Sequence, residues 1–142
     1  MAVAGPRIII NNGILYTFDS SRGKMLSNTR QYIRAGINWN QVTDQFLATD
    51  GGLNTMMVGE PVLKDATIVS VWAAGGAAST WSLEVYKAGT PSPITSVSLT
   101  NEAEKLNSSI NVDISAGDTI QLRAAGTNIP FPKCYIELAW RI

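Results

Sequence analysis

From Lys64 onward, apolar and polar residues alternate along the chain. In "ATIVSVWAA" the alternation predicts a strand with Ile68, Ser70 and Trp72 on one face and Thr67, Val69 and Val71 on the other. Gly75-Gly76 reads as a turn, after which "TWSLEVYKAG" sets Trp81, Leu83 and Val85 against Ser82, Glu84 and Tyr86. Thr90-Pro91-Ser92-Pro93 is a loop, "ITSVSLT" a strand and "NEAEK" a polar crossing. "LNSSINVDI" alternates through Leu106, Ser108, Ile110, Val112 and Ile114. Ala116-Gly117-Asp118 then breaks the pattern as a turn: Gly117 can take a positive φ, and Asp118 can bond nearby backbone. "DTIQLRAAG", the loop "TNIPFP" and a last strand in "KCYIELAWRI" complete the chain.

The first half is less regular. Residues 1–13 read as an extended N-terminal arm, with Gly5-Pro6 breaking structure, Ile8, Ile9 and Ile10 following, and Asn11-Asn12-Gly13 signalling a turn. An apolar triplet in such an arm needs cover. Two placements are open: a strand added to its own sheet, or contact with a neighbouring subunit or shell. "ILYTFDSSRGKMLS" reads as a hairpin turning at Asp19–Gly23, and "TRQYIRAGINW" continues it, with Gly36 marking a bulge or close approach. Residues 38–60 predict an irregular excursion. "QVTDQFLATDGG" fits either a short helix or a strand leading to a turn, and "LNTMMV" reads as a strand. No apolar stretch of helical period competes with the short, regularly spaced strands. The expected fold is therefore all-β, an antiparallel β-sandwich or jelly roll, as a single domain over residues 14–142.

A chain of 142 residues can bury a core without metal or disulfide staples. Charged residues make up only 15%, and the formal net charge is zero. A charge-poor surface suits a protein that assembles with copies of itself and equally arises by drift. No basic stripe is present to neutralise phosphates, which argues against nucleic acid and against a polybasic membrane contact. Cys134, the one cysteine, alternates with Ile136, Leu138 and Trp140 and reads as a buried small hydrophobe. The opening residues lack the charged start and apolar run of a secretory signal, so synthesis in the cytoplasm is expected, with any exit by other means, such as inside a particle released by lysis.

Candidate chemistry is sparse. The chain has no histidine, which removes Ser-His-Asp and Cys-His catalysis and the usual zinc ligands. Glu84, Glu102, Glu104, Asp113, Asp118 and Glu137 are the carboxylates open to paired acid–base work, but Glu84, Asp113 and Glu137 fall on polar strand faces and Glu102 and Glu104 in the polar crossing. The glycine pairs lack a following Gly-Lys-Ser/Thr, and no calcium-loop spacing appears. Asn107-Ser108-Ser109 matches a glycosylation acceptor by chance within a strand pattern. No cofactor and no enzymatic activity are expected. Trp81 and Trp140 share parity with core aliphatics. Trp39, in "INWNQ", is the candidate exposed aromatic, able to stack on a sugar or fill a partner's pocket. On the last strand, Tyr135, Glu137, Ala139 and Arg141 share the face opposite the core; they either lie on a plain internal strand or line a threefold axis.

Phe18-Asp19-Ser20-Ser21-Arg22-Gly23-Lys24-Met25-Leu26-Ser27-Asn28-Thr29-Arg30, followed by "DATIVSVWA", "WSLEVYKAGT", "NSSINVDISAGDTIQLRA" and "IELAWR", resembles small structural proteins of tailed bacteriophages. Met25 stands where that pattern has tryptophan. The second half is similar to trimeric jelly rolls of the tumour-necrosis-factor and complement-head type. The resemblance implies a non-enzymatic homotrimeric virion component. Within that class, a capsid decoration (cement) protein on the outer capsid surface, held on the major capsid protein or another virion protein, is the leading expectation. The alternative is a fibre, collar or receptor-binding head that recognises a host-surface glycan or protein. Short length and the apolar arm favour decoration.

Overall fold

The computed structural model describes residues 7–49, 52 and 54–142. Among these residues every regular element is a strand: β1 (Ile8–Asn11), β2 (Ile14–Asp19), β3 (Lys24–Gly36), β4 (Gln45–Phe46), β5 (Ala48–Thr49), β6 (Glu60–Pro61), β7 (Ala66–Lys87), β8 (Thr95–Asn107), β9 (Val112–Ile114), β10 (Thr119–Ala125) and β11 (Lys133–Arg141). All pairings are antiparallel, in the order β1-β2-β3-β11-β7-β10-β4, with β5 beside β3, β6 beside β10, and β8 and β9 beside β7. The expected all-β antiparallel sandwich is the fold that forms.

The spine is β7. Its first part pairs with β11, from Ala66↔Trp140 to Ala74↔Lys133. Its last part pairs with β10, from Ser82↔Ala125 to Lys87↔Ile120. Partner β8 runs beside both parts, and between Ala74↔Glu104 and Ser79↔Glu102 four residues of β7 face one of β8. That bulge holds Gly75-Gly76, which bends the ribbon where a reversal was expected. The two halves then bury opposite walls of one core. Ala66, Ile68, Val71 and Ala73 with Ile136 and Leu138 meet Trp81, Leu83 and Val85 with Ile120 and Leu122. At about 25 cal/mol per Å² of apolar surface, such a core is the dominant stabilising term.

Several other expectations change for local reasons. Glu137 pairs with Ser70 while Leu138 pairs with Ile68, so Val69 is an extra residue in β7. This bulge flips the alternation: Ile68 and then Val71 and Ala73 face the core, while Ser70 and Trp72 face out. "NEAEK" is not a crossing but part of β8, which lies along the bend. "LNSSINVDI" is broken: β8 ends at Asn107 and β9 starts at Val112. Ala116-Gly117-Asp118 does turn, with Gly117 at φ +86° and Asp118 Oδ2 accepting the Ser115 N–H at 3.0 Å. It carries the chain from β9 beside one end of β7 to β10 beside the other, and so joins two layers instead of closing a hairpin.

In the excursion, neither a helix nor a long strand forms over the described part of "QVTDQFLATDGG". The chain makes the two-residue strands β4 and β5, while Asp50 and Gly51 lie outside the described residues. Of "LNTMMV", Leu53 lies outside them too, and Thr55 to Met57 form a turn instead of a strand. Thr55 explains why. Its buried hydroxyl donates to the Leu122 carbonyl and accepts the Leu122 N–H, both at 3.1 Å, so one side chain takes the place of a ladder partner for β10.

Candidate interaction surface

Five of the six candidate carboxylates, Glu84, Glu102, Asp113, Asp118 and Glu137, are engaged within the subunit. Glu84 accepts from Arg123 Nη1 at 2.7 Å, and burial together with the Glu84 charge raises the Tyr86 phenol. Asp113 lies between Lys24 at 2.6 Å and Arg141 at 3.4 Å, with Thr67 Oγ1 donating at 2.6 Å. Burial works against its charge, but the Lys24 and Thr67 hydrogen bonds and the Arg141 charge outweigh it, and its pKa is lowered. Glu102 and Lys105 pair on β8, and Asp118 pairs with Lys87. Among the described residues, no group of three or more His, Cys, Asp or Glu side chains gathers to hold a metal. No helix there is long and apolar enough to cross a membrane.

The Phe18–Arg30 motif is a clamp. At the β2–β3 turn, Asp19 accepts from Ser21 Oγ at 2.6 Å and pairs with Arg22 Nη1 at 2.6 Å. The Ser21 hydrogen bond and the Arg22 contacts, opposed by burial, hold the Asp19 pKa at about 2. Arg22 then reaches across the sheet. Its Nε donates to the Ile110 carbonyl at 2.6 Å, and its Nη2 donates to those of Val69 and Ser108 at 2.8 and 2.7 Å. These are carbonyls that the Val69 bulge and the Asn107–Val112 break remove from regular ladders. One guanidinium bonds all three, adding to the Ile110 N–H that already donates to Val69 at 3.3 Å, and ties the bulge to the break.

At the other end of β3 the charges are arranged differently. Arg34, Tyr135, Trp72 and Leu106 are direct cross-strand neighbours over β3, β11, β7 and β8, all on the outward face. Tyr135 meets Trp72 edge-on at 5.5 Å between ring centroids. The Arg34 guanidinium sits 5.0 Å from the Tyr135 ring centre, and Lys133 Nζ lies 5.7 Å from that of Trp72. Among the described residues neither cation has an acidic partner within ion-pair distance. Beside them opens a groove of about 630 Å³ lined by Arg34, Asn38, Thr49, Phe131, Lys133 and Tyr135, among others. Gly76 makes room for its wall, since a Cβ there would meet the Phe131 ring at 2.8 Å. Phe131 itself holds φ +46°, a conformation that costs a bulky residue about 1–2 kcal/mol.

The residues singled out from the sequence lie in three places. Ile8 and Ile10 on β1 are 64% and 73% exposed, and Ile9 is half-buried. β1 pairs with β2 in its own sheet through the two-residue Asn12-Gly13 turn, both at positive φ. Residues 1–6 of the arm lie outside the described residues. Phe18 N–H donates to the Arg7 carbonyl, which fixes Arg7/Phe18, Ile9/Tyr16 and Asn11/Ile14 as the bonded pairs. The N–H and C=O groups of Ile8 and Ile10 therefore point away from β2, and no described strand meets them.

Tyr135, Glu137, Ala139 and Arg141 lie on an internal strand between β3 and β7. They do not form one exposed row. Tyr135 is 40% exposed, whereas Ala139, on the face away from the main core, is buried against Leu26 and Val69 in the same subunit. Glu137 accepts from Ser70 Oγ at 2.9 Å and Tyr32 OH at 3.3 Å. Arg141 donates to the Ala66 and Ile114 carbonyls. Ala139 is thus buried within the subunit and Arg141 half-buried in it. Trp39 is 61% exposed, and its carbonyl accepts the Phe131 N–H at 2.7 Å, which places it next to the groove. Arg34, Lys133 and Phe131 were not singled out. The signal for the first two was a polar face in "QYIRAG" and "KCYIEL" that alternates cation with tyrosine.

No family model matches the chain, and no curated protein matches it. Among solved structures it is similar to the crystal structure of FLHE at 8% identity, over 80% of this chain and 98% of that one, with a TM-score of 0.38. That overlap is too loose to establish a shared fold.

Proposed function

We propose that this protein is a non-enzymatic structural component of a phage virion, a decoration protein that binds the outer capsid surface as a homotrimer. The observation that carries this reading is the β1 edge: exposed Ile8 and Ile10, with their N–H and C=O groups directed outward. An apolar edge strand of this kind is a template for strand addition, which sheet proteins otherwise blunt with charge or proline. Covering each isoleucine contributes about 2 kcal/mol, and each new ladder bond adds about 1 kcal/mol. Repeated over many copies, small gains of this size hold a shell together. The phage resemblance supports the setting, and the engaged carboxylates support a role without catalysis. Particles lacking the protein are mixed with wild type or with an Ile8→Lys/Ile10→Lys variant and then sedimented. The wild type sediments with the particles and the variant stays behind. Equal occupancy by the two would remove the edge from the mechanism.

A second reading, a trimeric fibre, collar or receptor-binding head, is favoured by Trp39. That side chain is exposed beside a groove lined by cations and aromatics. Isolated protein then binds host cells, and Trp39→Ala weakens the binding without changing the thermal midpoint.

A further inference from the structure

We infer that the groove between the outer face of β3, β11 and β7 and the Phe131 segment is a binding site for an acidic saccharide, a sugar bearing a carboxylate. Arg34 and Lys133 are diagonal neighbours across the β3–β11 pair, about 7–8 Å apart. That separation lets both reach one carboxylate and the hydroxyl beside it. Each cation rests on a ring, Arg34 on Tyr135 and Lys133 on Trp72, which fixes its position and leaves its N–H groups free. No described carboxylate lines the groove. The smaller hollow next to it contains Glu60, with which Arg34 forms no ion pair. Phe131 lies against Gly76 and remains 42% exposed, a flat apolar platform for the C–H face of a sugar ring. The exposed Asn38 amide at the same wall is of the polar type that reads sugar hydroxyls. Cation, platform and a neutral amide converge in this groove. The β1 edge meets the sheet at the other end of β3, about 30 Å away along the strand, so the two surfaces work independently.

This inference deepens the receptor-binding reading and rests on it only for its biological setting. Full-length protein is passed over an immobilised panel of sialylated, uronic-acid and neutral oligosaccharides, and the bound members are measured by titration. Carboxylated members are retained, and reducing the carboxylate to an alcohol abolishes retention. Arg34→Ala and Lys133→Ala each weaken binding about tenfold, as the loss of a charge-assisted hydrogen bond does. Arg123→Ala, whose guanidinium is engaged by Glu84, leaves binding unchanged. Retention of no carboxylated member, equal retention of neutral ones, or indifference to both substitutions would overturn the site. Tighter binding of hexaglutamate with the same dependence on Arg34 and Lys133 would overturn the saccharide in favour of an acidic protein segment. Saccharide binding without attachment to host cells would leave the site standing and remove the receptor-binding reading.

Discussion

The two ends of β3 use the same residue types in opposite ways. At the Lys24 end, Asp19 pairs with Arg22 and Asp113 pairs with Lys24 and Arg141, and both arginines also donate to main-chain carbonyls of other strands and loops. At the Arg34 end, two cations rest on aromatic rings with no acid between them, above an open groove. Partners within the subunit account for the first arrangement. Nothing in the subunit requires the second, and this contrast separates charges that hold the fold from charges available to a partner.

The largest expected effect falls on the first end. Arg22→Ala removes three bonds to main-chain carbonyls and one ion pair, and should lower unfolding free energy by about 3 kcal/mol in urea titrations. Arg34→Ala should change it by less than about 0.5 kcal/mol. Comparable losses for the two would erase the distinction. Next comes Gly76→Val, whose side chain meets the Phe131 ring. It should cost about 1–2 kcal/mol and displace Phe131, seen as loss of its ring contacts by nuclear magnetic resonance, while the rest of the fold persists.

Acid should act on the first end alone. The Asp19 pKa is about 2 when folded against 3.8 for the free side chain, so the unfolded chain binds the proton more readily. The stabilisation is complete above pH 3.8 and is lost as pH falls through about 2. Asp19→Asn should remove that part of the acid dependence, measured as the thermal midpoint between pH 5 and 2; an unchanged slope would separate the turn from acid stability. Cys134 gives a smaller effect. Burial pushes its thiol up to about 12, so a thiol reagent at pH 8 should label it only in denaturant. The smallest is Trp39→Ala, expected within about 0.5 kcal/mol of wild type because the side chain is mostly exposed.

How far the sequence carried the fold can be traced to single residues. The strands after Lys64 and the Asp19–Gly23 hairpin were legible because alternation and turn chemistry coincide there. The run of β7 through Gly75-Gly76 was not, because two glycines signal a reversal and a bend alike; only pairing with β8 on both sides of the glycines distinguishes them. The faces of β7 were misread at the Val69 bulge, which leaves no mark in the alternation until the partner strand is known. Residues 38–60 stayed opaque because their order depends on one hydroxyl, that of Thr55, bonding β10 from a turn. Exposure of Trp39 was legible, but its neighbour Phe131 was not, since an aromatic at positive φ in "NIPFP" has no sequence signature.

The most direct test is cryo-electron microscopy of purified particles. The account predicts copies grouped in threes on the outer capsid surface, each with β1 paired to or packed upon a neighbouring subunit. Density confined to the tail, or β1 facing open solvent in every copy, would contradict it.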